Sequence, residues 1–131
     1  MDSNSTHVTP SKGILWTGRI MSMLPVLMLS FSAAMKFSGS PDLAKGFEHL
    51  GWKIQLAPSL GVLELVCTVL YAIPRTSVFG AILLTAYLGG ATATHVRVGD
   101  PFVSTIIVGV VVWGGLFLRN PSLRALLPLT R

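Results

Sequence analysis

Hydrophobic residues fill four long segments of this chain, and polar residues gather in the short stretches between them. The four runs without lysine or arginine are Ile20–Met35, Ile54–Ile73, Ser77–Val96 and Phe102–Leu118. At about 1.5 Å per residue, helices of this length reach roughly 24 to 30 Å, close to the thickness of a bilayer's hydrocarbon core. The pattern therefore predicts four transmembrane helices, near 14–36, 55–73, 77–97 and 102–119.

The connections between these runs are short. The turn Ile73-Pro74-Arg75-Thr76-Ser77 forces the second and third helices into an antiparallel hairpin, and Asp100-Pro101 opens the fourth helix after a loop of a few residues. We expect an all-α, up-down-up-down four-helix bundle, because antiparallel helices joined by short links pack in this way. Small residues predict close helix contacts at Gly61, Gly80, Gly89-Gly90 and Gly114-Gly115.

A shorter helix is predicted between the first two long ones. Ser40-Pro41-Asp42 combines an N-cap, a proline at the first helical position and an acid in the first turn. Leu43, Phe47 and Leu50 then recur at i, i+4 and i+7, which is typical of an amphipathic helix on a membrane surface. The prediction is a surface helix near 41–50, and the alternative is an irregular polar loop.

Composition and charge agree with a membrane protein. The chain is 51% hydrophobic and only 11% charged, against about 25% charged in soluble domains. Its net charge of +5 comes from basic residues scattered at the ends of the apolar runs, which argues against nucleic-acid binding. The excess of basic residues on one side predicts cytoplasmic N- and C-termini and a multi-pass protein of the cell membrane. The predicted organisation is a disordered cytoplasmic tail at 1–13, a transmembrane domain at 14–119 and a short basic tail at 120–131.

Glu64 is the strongest candidate for a functional residue. A carboxylate facing lipid costs several kcal/mol, so this residue must point into the protein. Helical spacing places Glu64 in one stripe with Thr68, while Tyr87 and Thr94 form a stripe on the next helix, flanked by His95. Both stripes reach the outer half of the bilayer, where an outward-facing pocket would bring the two titratable groups together.

The sequence thus predicts Glu64 and His95 as a coupled catalytic pair, with substrate-binding residues Tyr87, Thr94, Thr68, Arg97 and Lys36. The structural alternative remains open for each of them. Glu64 would then pin helix packing, and His95, Arg97 and Lys36 would anchor helix ends at the interface. The three histidines and the single cysteine do not have metal-ligand spacing, so no metal site is predicted.

Several motifs resemble the DoxX-like family of small four-helix membrane proteins. They are Ser32-Ala33-Ala34-Met35-Lys36-Phe37, the Pro74-Arg75-Thr76 turn and Gly89-Gly90-Ala91-Thr92-Ala93-Thr94-His95, and the similarity runs from about Phe31 to Arg119. The resemblance implies the four-helix fold. Because relatives are associated with quinone-linked thiosulfate oxidation and with complexes that handle oxidative stress, it also implies a quinone as an expected cofactor or substrate.

Two classes of function follow. The first is an enzyme or redox-complex subunit that acts on a quinone-like or other lipid-soluble small molecule in the outward-facing pocket. The second is a non-catalytic assembly or structural subunit whose buried polar residues specify packing. Besides the lipid bilayer, a membrane redox complex or a second copy of the chain is the expected partner. A transport path in particular would need a homo-oligomer, since four helices are few for alternating access.

Overall fold

The computed structural model describes residues 10–126, which fold into helices joined by short loops. Within that range there are six α-helices and no strand, which confirms the all-α prediction. The helices are α1 (Lys12–Met35), α2 (Pro41–His49), α3 (Ala57–Ala72), α4 (Ser77–Val98), α5 (Val103–Arg119) and α6 (Pro121–Leu126), with a 3-10 turn at Ile54–Leu56 before α3.

The long helices and the surface helix lie close to the segments that the hydrophobic pattern predicts. The hydrophobic pattern does not predict the 3-10 turn or α6, which occupies part of the 120–131 segment. The predicted tail at 1–13 falls largely outside the described residues, and so does the end of the chain at 127–131.

Three of the helical segments are long and apolar enough to cross a membrane: α1, Ile54–Ala72 and α4. Helix α5 is apolar but shorter, at 17 residues. The outer surface of these helices is unusually apolar, since side chains such as Leu27, Phe31 and Val110 are each more than 60% exposed. A surface of this kind fits lipid and not water.

The four long helices pack in a ring in which α1 contacts α3 and α5, and α4 contacts the same two helices from the other side. Gly18 near the start of α1 lies against Arg119 at the end of α5. One end of the ring carries Lys12, Arg19, Arg75, Arg119 and Arg124, and we call it the arginine end. The opposite end carries α2 and the α4–α5 loop with Asp100, and we call it the α2 end.

Glycines set the closest helix contacts. A Cβ at Gly80 would lie 2.5 Å from Tyr71 Cα, and one at Gly115 would lie 2.6 Å from Ser22 Oγ, so neither position has room for a side chain. Predicted close contacts at Gly61 and Gly114 are also confirmed. The prediction at Gly89-Gly90 is wrong, because a Cβ at either residue would meet no atom within 4 Å.

Tyr71 is the polar centre of the core near the arginine end. Its side chain is fully buried, and its hydroxyl lies 2.7 Å from the Val112 main-chain oxygen and 3.1 Å from Ser22 Oγ. The guanidinium of Arg119 donates to the Tyr71 main-chain oxygen at 3.1 Å and lies over the Tyr71 ring. These contacts join α1, α3 and α5 in the part of the bundle near the arginine end.

Candidate functional site: a buried ion pair and a lateral groove

Glu64 lies on α3 and is only 2% exposed, so it points into the protein as the cost of a lipid-facing carboxylate requires. Its Oε2 is 2.6 Å from Nζ of Lys36, the residue that follows the last turn of α1. Lys36 also donates to Ser32 Oγ at 3.0 Å, and its side chain is 15% exposed. The two charges therefore form an ion pair that is almost completely removed from solvent and lipid.

This ion pair forms because a glycine on α3 leaves room for the end of α1. Gly61 lies one helical turn before Glu64, and a Cβ there would be 3.0 Å from the Phe37 ring and 3.1 Å from Lys36 Cβ. Because Gly61 has no side chain, the end of α1 approaches α3 closely enough for the lysine to reach the carboxylate.

Two further predicted site residues lie around Glu64. Tyr87 on α4 is half-buried and lies beside the Glu64 carboxylate. The buried Thr68 hydroxyl donates to the Glu64 main-chain oxygen at 2.7 Å, so its hydrogen-bonding capacity is used within α3. The structure thus brings Glu64, Lys36, Tyr87 and Thr68 together.

The structure does not form the predicted contact between Glu64 and His95. His95 lies eight residues beyond Tyr87 on α4, which is about 12 Å along the helix axis at 1.5 Å per residue. Its Nδ1 is buried and is 3.7 Å from Asp100 Oδ2, too far for a hydrogen bond. Glu64 takes its charge partner from α1 instead, and His95 belongs to the α2 end.

The other two predicted substrate-binding residues make internal contacts. The guanidinium of Arg97 donates to the main-chain oxygen of Leu50, at the end of α2. The Thr94 hydroxyl donates to the Gly90 main-chain oxygen at 2.9 Å, within its own helix. Arg97 therefore caps the carbonyl end of α2, and Thr94 is not directed towards Glu64 by any hydrogen bond.

A second contact ties α2 to the α4–α5 loop. His49 Nε2 lies 2.9 and 2.8 Å from the two carboxylate oxygens of Asp100, to which it donates. The hydrogen bond from His49 holds the pKa of the Asp100 carboxyl below its ordinary value of 3.8. Together with Arg97 on Leu50, this contact fixes the surface helix across the loops of the α2 end.

We expect the tie between α2 and the α4–α5 loop to survive from pH 7 to about pH 4 and to be lost below it. A carboxyl whose pKa is lowered in the folded protein adds stability above its unfolded value of 3.8 and loses that stability as the pH falls through the folded value. Hydrogen exchange of the α2 amides, measured between pH 7 and pH 3, should show this loss. Asp100→Asn should abolish the step, whereas Asp42→Asn, which removes an exposed acid of α2 itself, should leave it in place.

A groove of about 600 Å³ that the sequence pattern does not predict lies between α4 and α5. It is bounded by residues of both helices and by one residue of α6: Thr85, Leu88, Gly89, Thr92, Thr105, Ile106, Gly109, Val110, Trp113, Gly114, Phe117 and Leu123. Its side is formed by exposed residues, since Ile106 and Val110 are 48% and 66% exposed. The groove therefore opens laterally, towards the surroundings of the helices.

The polar atoms in the groove hydrogen-bond to one another. Trp113 Nε1 donates to Thr85 Oγ1 at 2.7 Å, and the Thr92 and Thr105 hydroxyls lie 2.6 Å apart. The space that remains is bounded almost entirely by carbon. The missing side chains of Gly89 and Gly109 are the sequence signal that could have located the groove, since they widen the gap between two helices that face each other.

Within residues 10–126, no three histidine, cysteine, aspartate or glutamate side chains are grouped closely enough to hold a metal ion. The single cysteine, Cys67, is a buried free thiol on α3.

Comparison with known proteins identifies a family that the chain resembles over most of its length. The profile of the DoxX-like family matches residues 20–117, well over half of the chain. No curated protein and no solved structure matches the chain.

Proposed function

The chain belongs to the DoxX-like family, and we propose that it is a multi-pass membrane protein that holds a lipid-soluble small molecule in the groove between α4 and α5. Membership of the family and the three membrane-length apolar helices support the membrane assignment. The groove is the observation that carries the binding function.

In this proposal all four long helices cross the cell membrane, in alternating directions, as an up-down-up-down bundle. The 17 residues of α5 reach about 26 Å, which spans a bilayer core when the flanking arginine snorkels. The arginine end faces the cytoplasm, in keeping with the enrichment of basic residues on that side of membrane proteins. Helix α2 then lies on the outer surface.

The chemistry of the groove favours the apolar body of a ligand. Its volume falls within the range of about 300–1,000 Å³ that small-molecule sites occupy. Because the Trp113 and threonine groups already satisfy one another, a polar head group would have to break these hydrogen bonds to bind there. The isoprenoid tail of a quinone-like molecule, or another chain-like hydrocarbon, meets these conditions.

The lateral opening of the groove also provides an entry route for a lipid-soluble molecule. Ile106 and Val110 border the groove and are exposed on the outside of α5, which faces lipid in the proposed topology. A lipid-soluble molecule therefore enters from the bilayer without crossing water. A redox reaction of the bound molecule, or a place in a membrane redox complex, remains a prediction from the family resemblance.

A second candidate function, a non-catalytic subunit whose buried polar residues specify packing, is favoured by the geometry at Glu64. Lys36 forms an ion pair with the Glu64 carboxylate, and His95 lies near Asp100 at the α2 end. We therefore assign no catalytic step to Glu64 or His95. In this interpretation the ion pair sets how α1 packs on α3, as buried polar groups can do.

Filling the groove tests the binding function. We expect an apolar molecule to co-purify with the wild-type protein and Gly89→Leu to remove it, because Gly89 lines the groove and its Cβ would meet no atom within 4 Å. Native mass spectrometry of the protein released from mild detergent, followed by lipid extraction, measures the bound molecule.

Gly90→Leu is the matched control for this experiment. It adds the same side chain to the next residue of the same helix, where a Cβ also meets no atom within 4 Å, but Gly90 does not line the groove. The proposal requires retention in Gly90→Leu and loss in Gly89→Leu. Equal occupancy in both variants, or an empty wild-type protein, would contradict it.

A further inference from the structure

The arginine end carries positive charge that the described part of the chain leaves without a carboxylate partner. Among residues 10–126 the acidic side chains are Asp42 and Glu48 on α2, Asp100 in the loop at the same end, and Glu64, which is paired with Lys36. None of these lies at the arginine end. An anion that balances this end must therefore come from outside the described residues.

Two of these arginines have nitrogen atoms that are buried and lack a hydrogen-bond partner. They are Nε of Arg119, at the end of α5, and Nε of Arg124, on α6. A buried N–H group without an acceptor is costly, and the cost is larger when the group is charged. Among the described residues no other arginine has such a nitrogen, so the corner between α5 and α6 differs from a generally basic surface.

The fold holds this corner in place. Arg119 is oriented by the Tyr71 main-chain oxygen at 3.1 Å and by the Tyr71 ring, whose centre is 5.1 Å from its guanidinium carbon. Helix α6 is fixed by the Asn120 side chain, which accepts from the Leu123 main-chain nitrogen at 3.2 Å, and by the buried Leu123 side chain. Arg119 and Arg124 thus stand on either side of a short, well-anchored turn between α5 and α6.

We propose that the α5–α6 corner binds the phosphate head group of an anionic phospholipid through Arg119 and Arg124. A guanidinium group presents parallel donors that match phosphate oxygens, and basic pockets at the cytoplasmic ends of membrane helices suit acidic lipid head groups. The neighbouring Leu126 is 77% exposed and would contact the acyl chains of the same lipid. This site differs from the α4–α5 groove in its chemistry, because its ligand is bound by charge whereas the groove is lined mainly by apolar residues.

The test measures lipid binding to the full-length protein in a neutral detergent. Native mass spectrometry during titration with phosphatidylglycerol should show one lipid that binds at least about tenfold more tightly than phosphatidylcholine. Arg124→Gln should weaken phosphatidylglycerol binding about tenfold and leave the melting temperature nearly unchanged, since Nε of Arg124 has no hydrogen-bond partner within the described residues. Arg124→Lys should lose part of the affinity, because it keeps the charge but not the paired donors.

Arg75→Gln is the matched control, since it removes one charge from the same end, in the exposed α3–α4 turn. Its affinity for phosphatidylglycerol should stay within about twofold of wild type, because binding through paired donors depends on position as well as on charge. An equal loss in Arg75→Gln and Arg124→Gln would overturn the site in favour of diffuse attraction. Equal binding of phosphatidylcholine would overturn the charge selectivity, and displacement of the lipid by millimolar inorganic phosphate would identify a free-anion site instead.

Discussion

Replacing Lys36 by methionine is expected to cost about 3–5 kcal/mol of the free energy of unfolding, the range found when one partner of a buried ion pair is removed. The cost arises because Glu64, at 2% exposure, would be left as an unpaired carboxylate inside the bundle. Reversible unfolding in mixed micelles with increasing dodecyl sulfate, followed by circular dichroism, measures the change.

The double variant Lys36→Met/Glu64→Leu separates the cost of an unpaired charge from the value of the pair itself. Replacing a buried ion pair by apolar residues of similar size is often neutral or stabilising. We therefore expect the double variant to recover most of the stability that Lys36→Met loses. If Lys36→Met alone costs less than about 1 kcal/mol, the ion pair is not formed in the membrane, and the assignment of Glu64 to packing fails with it.

The sequence locates Glu64 as a buried group but does not identify its partner, for a reason that lies in helix register. Helical periodicity tells which residues of one helix share a face, and it carries no information on the relative depth of two helices. Lys36 and Glu64 are 28 residues apart, and their contact depends on how far α1 slides along α3. The missing side chain of Gly61 sets that position, and it is visible only once the two helices are packed.

His95 is a second case in which helical periodicity does not give the relative depth of two helices. The tight α3–α4 turn correctly predicts that the two helices are neighbours, but it does not predict which levels meet. Tyr87 is level with Glu64, so His95 lies two turns further along α4 and contacts the Asp100 loop. An acid and a histidine in the same half of a bilayer can still be separated by the length of two helical turns.

Hydrophobic runs, in contrast, predict the long helices well. In an apolar environment a chain segment must satisfy its backbone hydrogen bonds internally, and a helix does this. The hydrophobic pattern does not predict helix α6, although the start of this helix carries a capping signal, Asn120-Pro121. A helix of six residues has no hydrophobic period long enough to detect. Its Leu123 side chain is buried against the hydrophobic core, and the local sequence does not reveal this contact.

Gly80→Ala is expected to destabilise the protein by the upper end of the range for overpacked cores, about 3 kcal/mol, or more. The added methyl group would lie 2.5 Å from Tyr71 Cα and 2.6 Å from the Leu70 carbonyl carbon, both of which are main-chain atoms of α3. A flexible side chain could move aside, but a helix backbone cannot. The turn adds to this rigidity, because the Thr76 hydroxyl donates to the Leu70 main-chain oxygen at 2.7 Å.

Gly90→Ala on the same helix is the control for Gly80→Ala, since a Cβ at Gly90 meets no atom within 4 Å. Alanine favours helix over glycine by about 1 kcal/mol, so this variant should keep or gain stability. Both substitutions gain the same helix preference, but their expected changes in stability have opposite signs. The difference between them therefore measures the cost of the contact at Gly80. If Gly80→Ala were as stable as Gly90→Ala under the same dodecyl sulfate titration, α3 and α4 could not cross at Gly80. The Arg119–Tyr71 contact, which depends on the position of α3 there, would then have no fixed geometry.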